Sequence, residues 1–463
     1  MVLLPAMRTL TRIALLAGCA FALGCGPPPT HVVLITIDTL RADHLGVYGY
    51  ARDTSPALDA LAREGIAFTR CYAQSVVTRA SHASLFTASY PSTHGVLSNF
   101  ELYLDRPSLF TALRARGYAT AGFVSSAVLN HNFGVQQQLD HFDDALTTTE
   151  RNRPSMSERP ARDTLAAALA YIEDQPRRKP FFVWIHLIDP HGPYAAPAEP
   201  DRFVGDAHAK PGRALPLGET NVGFGDIPKY QILDRATDPD YYVARYDAEI
   251  RYADDALAAF FARLRELGLY DHTLFVVTAD HGETLDEPTH HRYFAHEFLT
   301  YEEDARIPLI VREPVGVRRV AALDPDALVL SIDVAPTLLD RLGGEIPKEF
   351  EGRSLLRAAH APDDPVFSLG SYGSPDEKTI GTQRAVVRGP WRYLINTKDG
   401  AEELYDRRSD PHETQNVAAQ HPDELAELRR ALADFMAKPG RRNRLSDLSP
   451  EDRERLRALG YVR

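Results

Sequence analysis

"HTLFVVTADHGE" is an apolar, β-branched run that ends in Asp280 and His281. An adjacent aspartate and histidine at the end of a buried strand offer a hard oxygen and an imidazole to one divalent cation. "HVVLITID" ends in the same way, in Asp38, a candidate third ligand, and "PFFVWIHLIDPH" carries Asp189 and His191 just beyond its apolar residues. Taken singly, such a strand-end acid reads as a helix cap or turn residue. Several in succession read as a ligand set, provided that one fold brings them together.

The elements around them are suited to that. The runs ending at Asp38, Asp189 and Asp280, with "IPLIVREP", are continuous rather than alternating, as expected of strands buried on both faces. Between them "SPALDALAREG" and "PSLFTALRARG" carry apolar residues at helical spacing and end on glycine. Alternating strands and helices predict an α/β fold with a large, mostly parallel sheet covered by helices on both sides. Ligands of such sheets collect at the carboxyl ends of the strands, where these polar residues lie. The segment from Ala195 to about Tyr241 is rich in Pro, Gly and Asp and reads as a long surface loop that shapes an entrance. Beyond "SIDVAPTLLDRLGG" the composition loosens. "VVRGPWRYLINTKDGAEELYD" predicts short antiparallel strands, and "PDELAELRRALADFM" and "SPEDRERLRALGYV" predict terminal helices. The expected division is therefore a catalytic unit over 31–358 and a smaller C-terminal unit over 359–463.

Composition narrows the function classes. The chain has 463 residues, 44% of them hydrophobic, enough for one large core and a smaller one. Its 52 basic and 64 acidic residues give a formal charge of −12 with no basic stripe, which argues against nucleic-acid binding. Three cysteines, Cys19, Cys25 and Cys71, cannot form a disulfide framework. The first two belong to "MRTLTRIALLAGCAFALGCGPPPT", where Arg8 and Arg12 precede an apolar run too short to span a membrane and suited to an export signal. It resembles a bacterial lipoprotein signal over residues 1–25, with Cys25 or Cys19 as the lipidated residue and a Pro-rich tether over 26–30. A simple secretory signal is the alternative. The expectation is an exported protein held at an envelope membrane by lipid.

"ITIDTLRADHLGVYGY", "YPSTHGV", "HLIDPHGPY", "TADHGE", "YEEDARIPLIV", "DVAPTLLDRLGG" and "ELYDRRSDPHETQNVA" together resemble the sulfatase family of the alkaline-phosphatase superfamily, in order and spacing, over nearly the whole chain after His31. The resemblance implies metal-assisted hydrolysis of an anionic ester on a small molecule, glycan or lipid head group. The cation would be Ca, Mg, Mn or Zn. Carried over by position, Asp38, Asp280 and His281 fall on metal ligands, and Thr39 stands where the family has a further acid or amide. His191 falls where a histidine faces the ester, and His296 where sulfatases have a lysine.

The chain departs from the family at the nucleophile. Sulfatases have Cys-x-Pro-Ser-Arg, whose cysteine becomes formylglycine; here Thr78 stands at the cysteine, Ser81 at the serine and His82 at the arginine. Cys71, in "CYAQS", has no such motif around it and reads as a core residue. The downstream Gly-Lys-x-His is replaced by Gly122, Phe123, Val124 and Ser125, so the arginine and both lysines that serve sulfate are expected to be missing. A formylglycine hydrate releases sulfate by collapsing to the aldehyde, whereas a threonine ester has to be cleaved by water at the central atom. That is ordinary chemistry for phosphorus.

Resemblance to the phosphodiesterase and phosphoalcohol-transferase branches of the superfamily implies a threonine nucleophile here, on one metal or two. The expectation is a metal-dependent hydrolase of phosphate mono- or diesters, with Thr78 as nucleophile and metal ligand. Asp189, His191 and His296 have the ligand types for a second metal, and His296 is otherwise a hydrogen-bonding residue in a one-metal pocket. His82 contacts the phosphoryl oxygens or else caps its helix. A sulfatase without formylglycine and an inactive binding lipoprotein are the alternatives. Arg41 with Asp43 reads as a structural ion pair, His94 as structural, and His290 and His291 as solvated.

Overall fold

A computed structural model describes residues 30–103, 106–176, 178–206, 214–316, 323–371 and 381–440. The signal-like segment with Cys19 and Cys25, the tether through residue 29 and the terminal "SPEDRERLRALGYV" lie outside the described residues. No described helix is long and apolar enough to cross a membrane.

An eight-stranded sheet runs in the order Leu328–Leu330, Ile66–Tyr72, Arg306–Arg312, Thr273–Ala279, His31–Ile37, Phe181–Leu187, Ala119–Phe123, His141–Asp143. All strands are parallel except Arg306–Arg312, which opposes both neighbours. The three central strands are buried along their whole length, as their unbroken apolar runs require. The register pairs Ile37 with Ala279 and Ile37 with Leu187. Asp38 and Asp280 are the next residues on adjacent strands, so they leave the sheet side by side.

Helices close the faces. Pro56–Glu64 is capped from a distance: the Asp254 carboxylate accepts from the Ala57 and Leu58 N–H groups at 2.8 and 2.9 Å. Asp254 belongs to Pro239–Glu266, a 28-residue helix that begins where the expected loop ends and packs against Ala161–Asp174. The described part of that loop ahead of the helix holds short 3₁₀ turns and two isolated bridges, Leu217 to Ile227 and Phe224 to Arg292.

The smaller unit is a four-stranded antiparallel sheet, Val366–Leu369, Gln383–Arg388, Trp391–Asn396 and Glu402–Asp406, covered by the helix Pro422–Met436. Its core joins Phe367, Val386, Tyr393 and Leu404 to Leu428, Leu432 and Phe435. The Phe367 and Phe435 rings stack at 4.0 Å.

Candidate active site

Asp38, Asp280 and His281 bring one ligand atom each to within 4.8 Å of one another, and all three are buried. Asp280 Oδ1 accepts from the N–H groups of His281 (2.8 Å) and Thr39 (3.2 Å), which fixes the carboxylate. Its Oδ2 and Asp38 Oδ1 are buried without a hydrogen-bond partner. His281 Nδ1 donates to the Gly282 carbonyl at 2.9 Å, so Nε2 keeps its lone pair, 3.9 Å from Asp38 Oδ1 and 3.4 Å from Asp280 Oδ2. Two unpartnered carboxylate oxygens and an imidazole held in one tautomer are a donor set for a hard or borderline divalent cation. The residues present therefore fit such an ion.

The electrostatics agree with the geometry. Burial raises Asp38 to about 7 against the pull of His281, and burial with the Asp38 charge raises Asp280. Burial opposes a charged His281, yet Asp280 and Asp38 outweigh it and raise that group as well. Each carboxylate here is short of positive charge.

Thr78 is the first residue of the helix Thr78–Thr87. Its Oγ1 lies 3.4 Å from His281 Nε2, at the positive end of the helix. Ser81, one turn on, donates to the Asp280 carbonyl at 2.6 Å and ties this helix to the strand end. Thr78 and Asp38 line a cavity of about 350 Å³ together with His191, His296, Asn221 and Tyr230, the last two from the Pro- and Gly-rich loop.

His191 and His296 meet there with ring centroids 5.1 Å apart, and His296 sits 4.7 Å from the His281 ring. His191 Nδ1 donates to the Gly192 carbonyl (2.7 Å) and His296 Nδ1 to Glu283 Oε1 (3.1 Å). Burial, with neighbouring cations, holds both well below the usual imidazole range, so both are neutral. Thr39 has a left-handed backbone (φ 55°); its carbonyl accepts from Tyr246 and its buried Oγ1 has no hydrogen-bond partner.

Two expected site residues are placed elsewhere. Asp189 Oδ2 accepts from the Ala161 N–H at 2.8 Å, capping the helix Ala161–Asp174, and its carboxyl shares a hydrogen bond with that of Glu249. Among the described residues the only group of three metal donors is Asp38, Asp280 and His281, so Asp189 is corrected from ligand to helix cap. His82 is corrected as well. Its Nδ1 donates to the Thr78 carbonyl (2.8 Å) and its Nε2 accepts from the Thr36 hydroxyl (2.9 Å), leaving no nitrogen for a phosphoryl oxygen. Burial lowers it to about 4.

The arginine and lysines of the family pattern are absent from their positions, but other cations stand in the cavity wall. Arg79, Arg153 and Arg292 line the cavity from three separate elements. Arg153 is held by both Glu150 oxygens and lies over the Tyr230 ring, and Arg79 donates to the Val128 and Glu101 carbonyls. The signal for Arg79 is its place beside Thr78. Arg292 is betrayed only by its place in the strand Arg292–Ala295, buried throughout. His290 is buried rather than solvated: it pairs with Glu303 at 2.6 Å and stacks on Tyr301 at 3.6 Å. Arg41 pairs with Asp43 (2.7 Å) and Glu287 (2.6 Å), and Cys71 is buried in the core.

Residues 30–344 match the sulfatase family model, and residues 289–439 match that of the N-sulphoglucosamine sulphohydrolase C-terminal region. An N-acetylglucosamine-6-O-sulfatase of Bacteroides thetaiotaomicron is 23% identical over 508 aligned residues, covering 92% of this chain and 88% of that protein. A protein solved in complex with its substrate D-glucosamine-2-N,6-O-disulfate superposes with a TM-score of 0.72 at 20% identity, over 88% of this chain and 97% of the other. The phosphonate monoester hydrolase of Agrobacterium radiobacter superposes with a TM-score of 0.68 at 19% identity, over 89% and 96%. With the family match spanning well over half its length and a large mixed sheet and small antiparallel sheet to agree with it, the chain belongs to the sulfatase family.

Proposed function

We propose that this sulfatase-family hydrolase acts on phosphoric esters, mono- or diesters, with Thr78 as its nucleophile and one divalent cation held by Asp38, Asp280 and His281. One observation carries the reading: the Thr78 hydroxyl lies 3.4 Å from His281 Nε2 on the wall of the cavity that holds Asp38. When bound, the cation supplies Lewis acidity beside that hydroxyl and so favours its ionised form.

The chain's own groups account for the rest. Thr78 Oγ1 attacks phosphorus, a P–O bond to threonine forms and the bond to the alcohol breaks. The neutral imidazoles of His191 and His296, each with Nδ1 committed, keep Nε2 free to take the threonine proton and pass it to the leaving alkoxide. Water then attacks phosphorus, gives up its proton to the same pair and displaces the Thr78 oxygen, which is reprotonated. The N-terminus of the Thr78–Thr87 helix stabilises the charge that develops near it. As part of the same reading the enzyme is exported and held at an envelope membrane by lipid on Cys25 or Cys19.

A sulfuric ester is the second reading. It is favoured by the three arginines on the cavity wall and by the sulfatases among the relatives. The test is turnover of aryl sulfate, phosphate monoester and phosphate diester by the purified protein with added Mn, Zn, Mg or Ca. Phosphate activity is expected to lead. A sulfate rate above both phosphate rates by more than about tenfold, or ~1.4 kcal/mol of barrier, would overturn the choice. Thr78→Ala is expected to lower turnover by at least about 10³-fold, and unchanged turnover removes Thr78 from the mechanism.

A further inference from the structure

Arg292 is 1% exposed and lies on the wall of the cavity that holds Asp38, Thr78, His191 and His296. Its Nη2 donates to the His296 carbonyl and its guanidinium carbon sits 5.1 Å from the Phe298 ring centre. Its Nε and Nη1 are buried with no hydrogen-bond partner among the described residues. The acids whose charge reaches it are Asp304, Glu297 and Glu283. Each is engaged elsewhere: Asp304 accepts from the Thr284 hydroxyl, Glu297 from the Asn99 amide, and Glu283 from His296.

The other two arginines of the wall differ. Arg153 has both oxygens of Glu150, and Arg79 has two carbonyls. A guanidinium keeps its charge at any working pH. Buried with idle N–H groups, it carries a desolvation penalty that an anion entering the cavity would offset.

We infer that Arg292 is the cation that holds the non-bridging oxygens of the substrate's tetrahedral anion, phosphate or sulfate. Charge-assisted N–H···O bonds to an oxyanion are the strong kind, and Arg292 keeps idle donors in the wall of the chamber that Thr78 also lines. Through Nη2 it also grips the main chain of His296, whose ring Glu283 holds. The inference rests on reading this cavity as an ester-hydrolase site, but not on which ester is cleaved.

The test is titration calorimetry of inorganic phosphate and inorganic sulfate into the full, metal-loaded chain and its Arg292→Gln and Arg292→Lys variants. Metal content and melting temperature are measured on the same samples. Arg292→Gln is expected to weaken the better-bound oxyanion by about 10- to 100-fold, as loss of a hydrogen bond to a charged group would. Arg292→Lys, which keeps the charge but loses the planar donors, is expected to fall in between, with metal content and melting temperature close to wild type.

Should Arg292→Gln fail to fold, Arg292→Lys decides: weaker binding with a normal melting temperature supports the role, and wild-type affinity overturns it. Wild-type affinity in Arg292→Gln, oxyanion loss that merely follows metal loss in both variants, or a wild-type protein that binds neither ion each overturn it. Oxyanion binding that depends on Arg292 in a protein turning over no ester would instead defeat the proposed hydrolysis and leave this inference standing.

Discussion

Asp38 and Asp280 differ in how the protein holds them. Asp280 is fixed by two backbone N–H groups, whereas among the described residues the Asp38 carboxylate has a hydrogen bond with His186 alone, at 3.3 Å. Asp280→Asn puts an amide where an anionic oxygen is needed, and the site's affinity for a divalent cation is expected to fall by more than about 100-fold, the upper range for losing even an outer partner. Equilibrium dialysis with elemental analysis measures this, and wild-type affinity in the variant would exclude Asp280 as a ligand. Chelation of the wild type is expected to lower its melting temperature, because an ion that binds only the folded chain stabilises it by about 2.7 kcal/mol at 100 times its Kd. Asp280→Asn should show little of that difference.

At the scale of elements, the site depends on how closely the turn after Thr273–Ala279 passes its neighbour. The Gly282 N–H donates to the Asp304 carbonyl at 2.8 Å, and a Cβ on Gly282 would collide with the Glu303 carbonyl. That neighbour is backbone of the short helix Glu302–Ala305, which leads straight into the strand Arg306–Arg312, so it cannot swing aside as a side chain would. Gly282→Ala is expected to destabilise the fold by about 1–3 kcal/mol, seen as a lower urea midpoint at unchanged slope. The Gly282 carbonyl also holds His281 Nδ1, so metal affinity should drop in the same variant. An unchanged midpoint would mean that the turn has slack the structure does not show.

For the molecule as a whole, the catalytic unit and the C-terminal sheet are joined by buried charge. His290 pairs with Glu303 and its Nε2 meets the Glu413 carbonyl at 3.1 Å, while Arg392 and Arg407 pair with Glu302 at 2.5 and 2.8 Å. Burial opposes a charged His290, but the hydrogen bond and charge of Glu303 prevail and raise it from 6.5 to about 9. A raised histidine contributes stability that is fully present below its unfolded pKa and lost as the pH climbs through the folded one. Between pH 6.5 and 9 the wild type is expected to lose on the order of 2 kcal/mol that His290→Gln, with no such group to titrate, does not lose. Urea denaturation of both proteins at several pH values checks this, and parallel curves would refute it.

The strands ending in Asp38 and Asp280 are legible in the sequence, because a strand buried on both faces has to be unbroken apolar chain and the first acid after it marks the exit from the sheet. The family's motifs carry the order of the site in the same way, since they are local. Asp189 and His82 occupy equally suggestive positions and are claimed by other groups, a helix N–H 28 residues away and a hydroxyl 46 residues away. Arg292 gives the converse case. Nothing near it in sequence says that its donors stay idle, because that depends on Asp304, Glu297 and Glu283 each finding another partner. The sequence by itself thus determined the sheet, the family and the residue types of the metal site. Which polar groups are satisfied, and so which remain free to meet a ligand, was decided only by the tertiary structure, since hydrogen bonding in a buried site is a competition among residues distant along the chain.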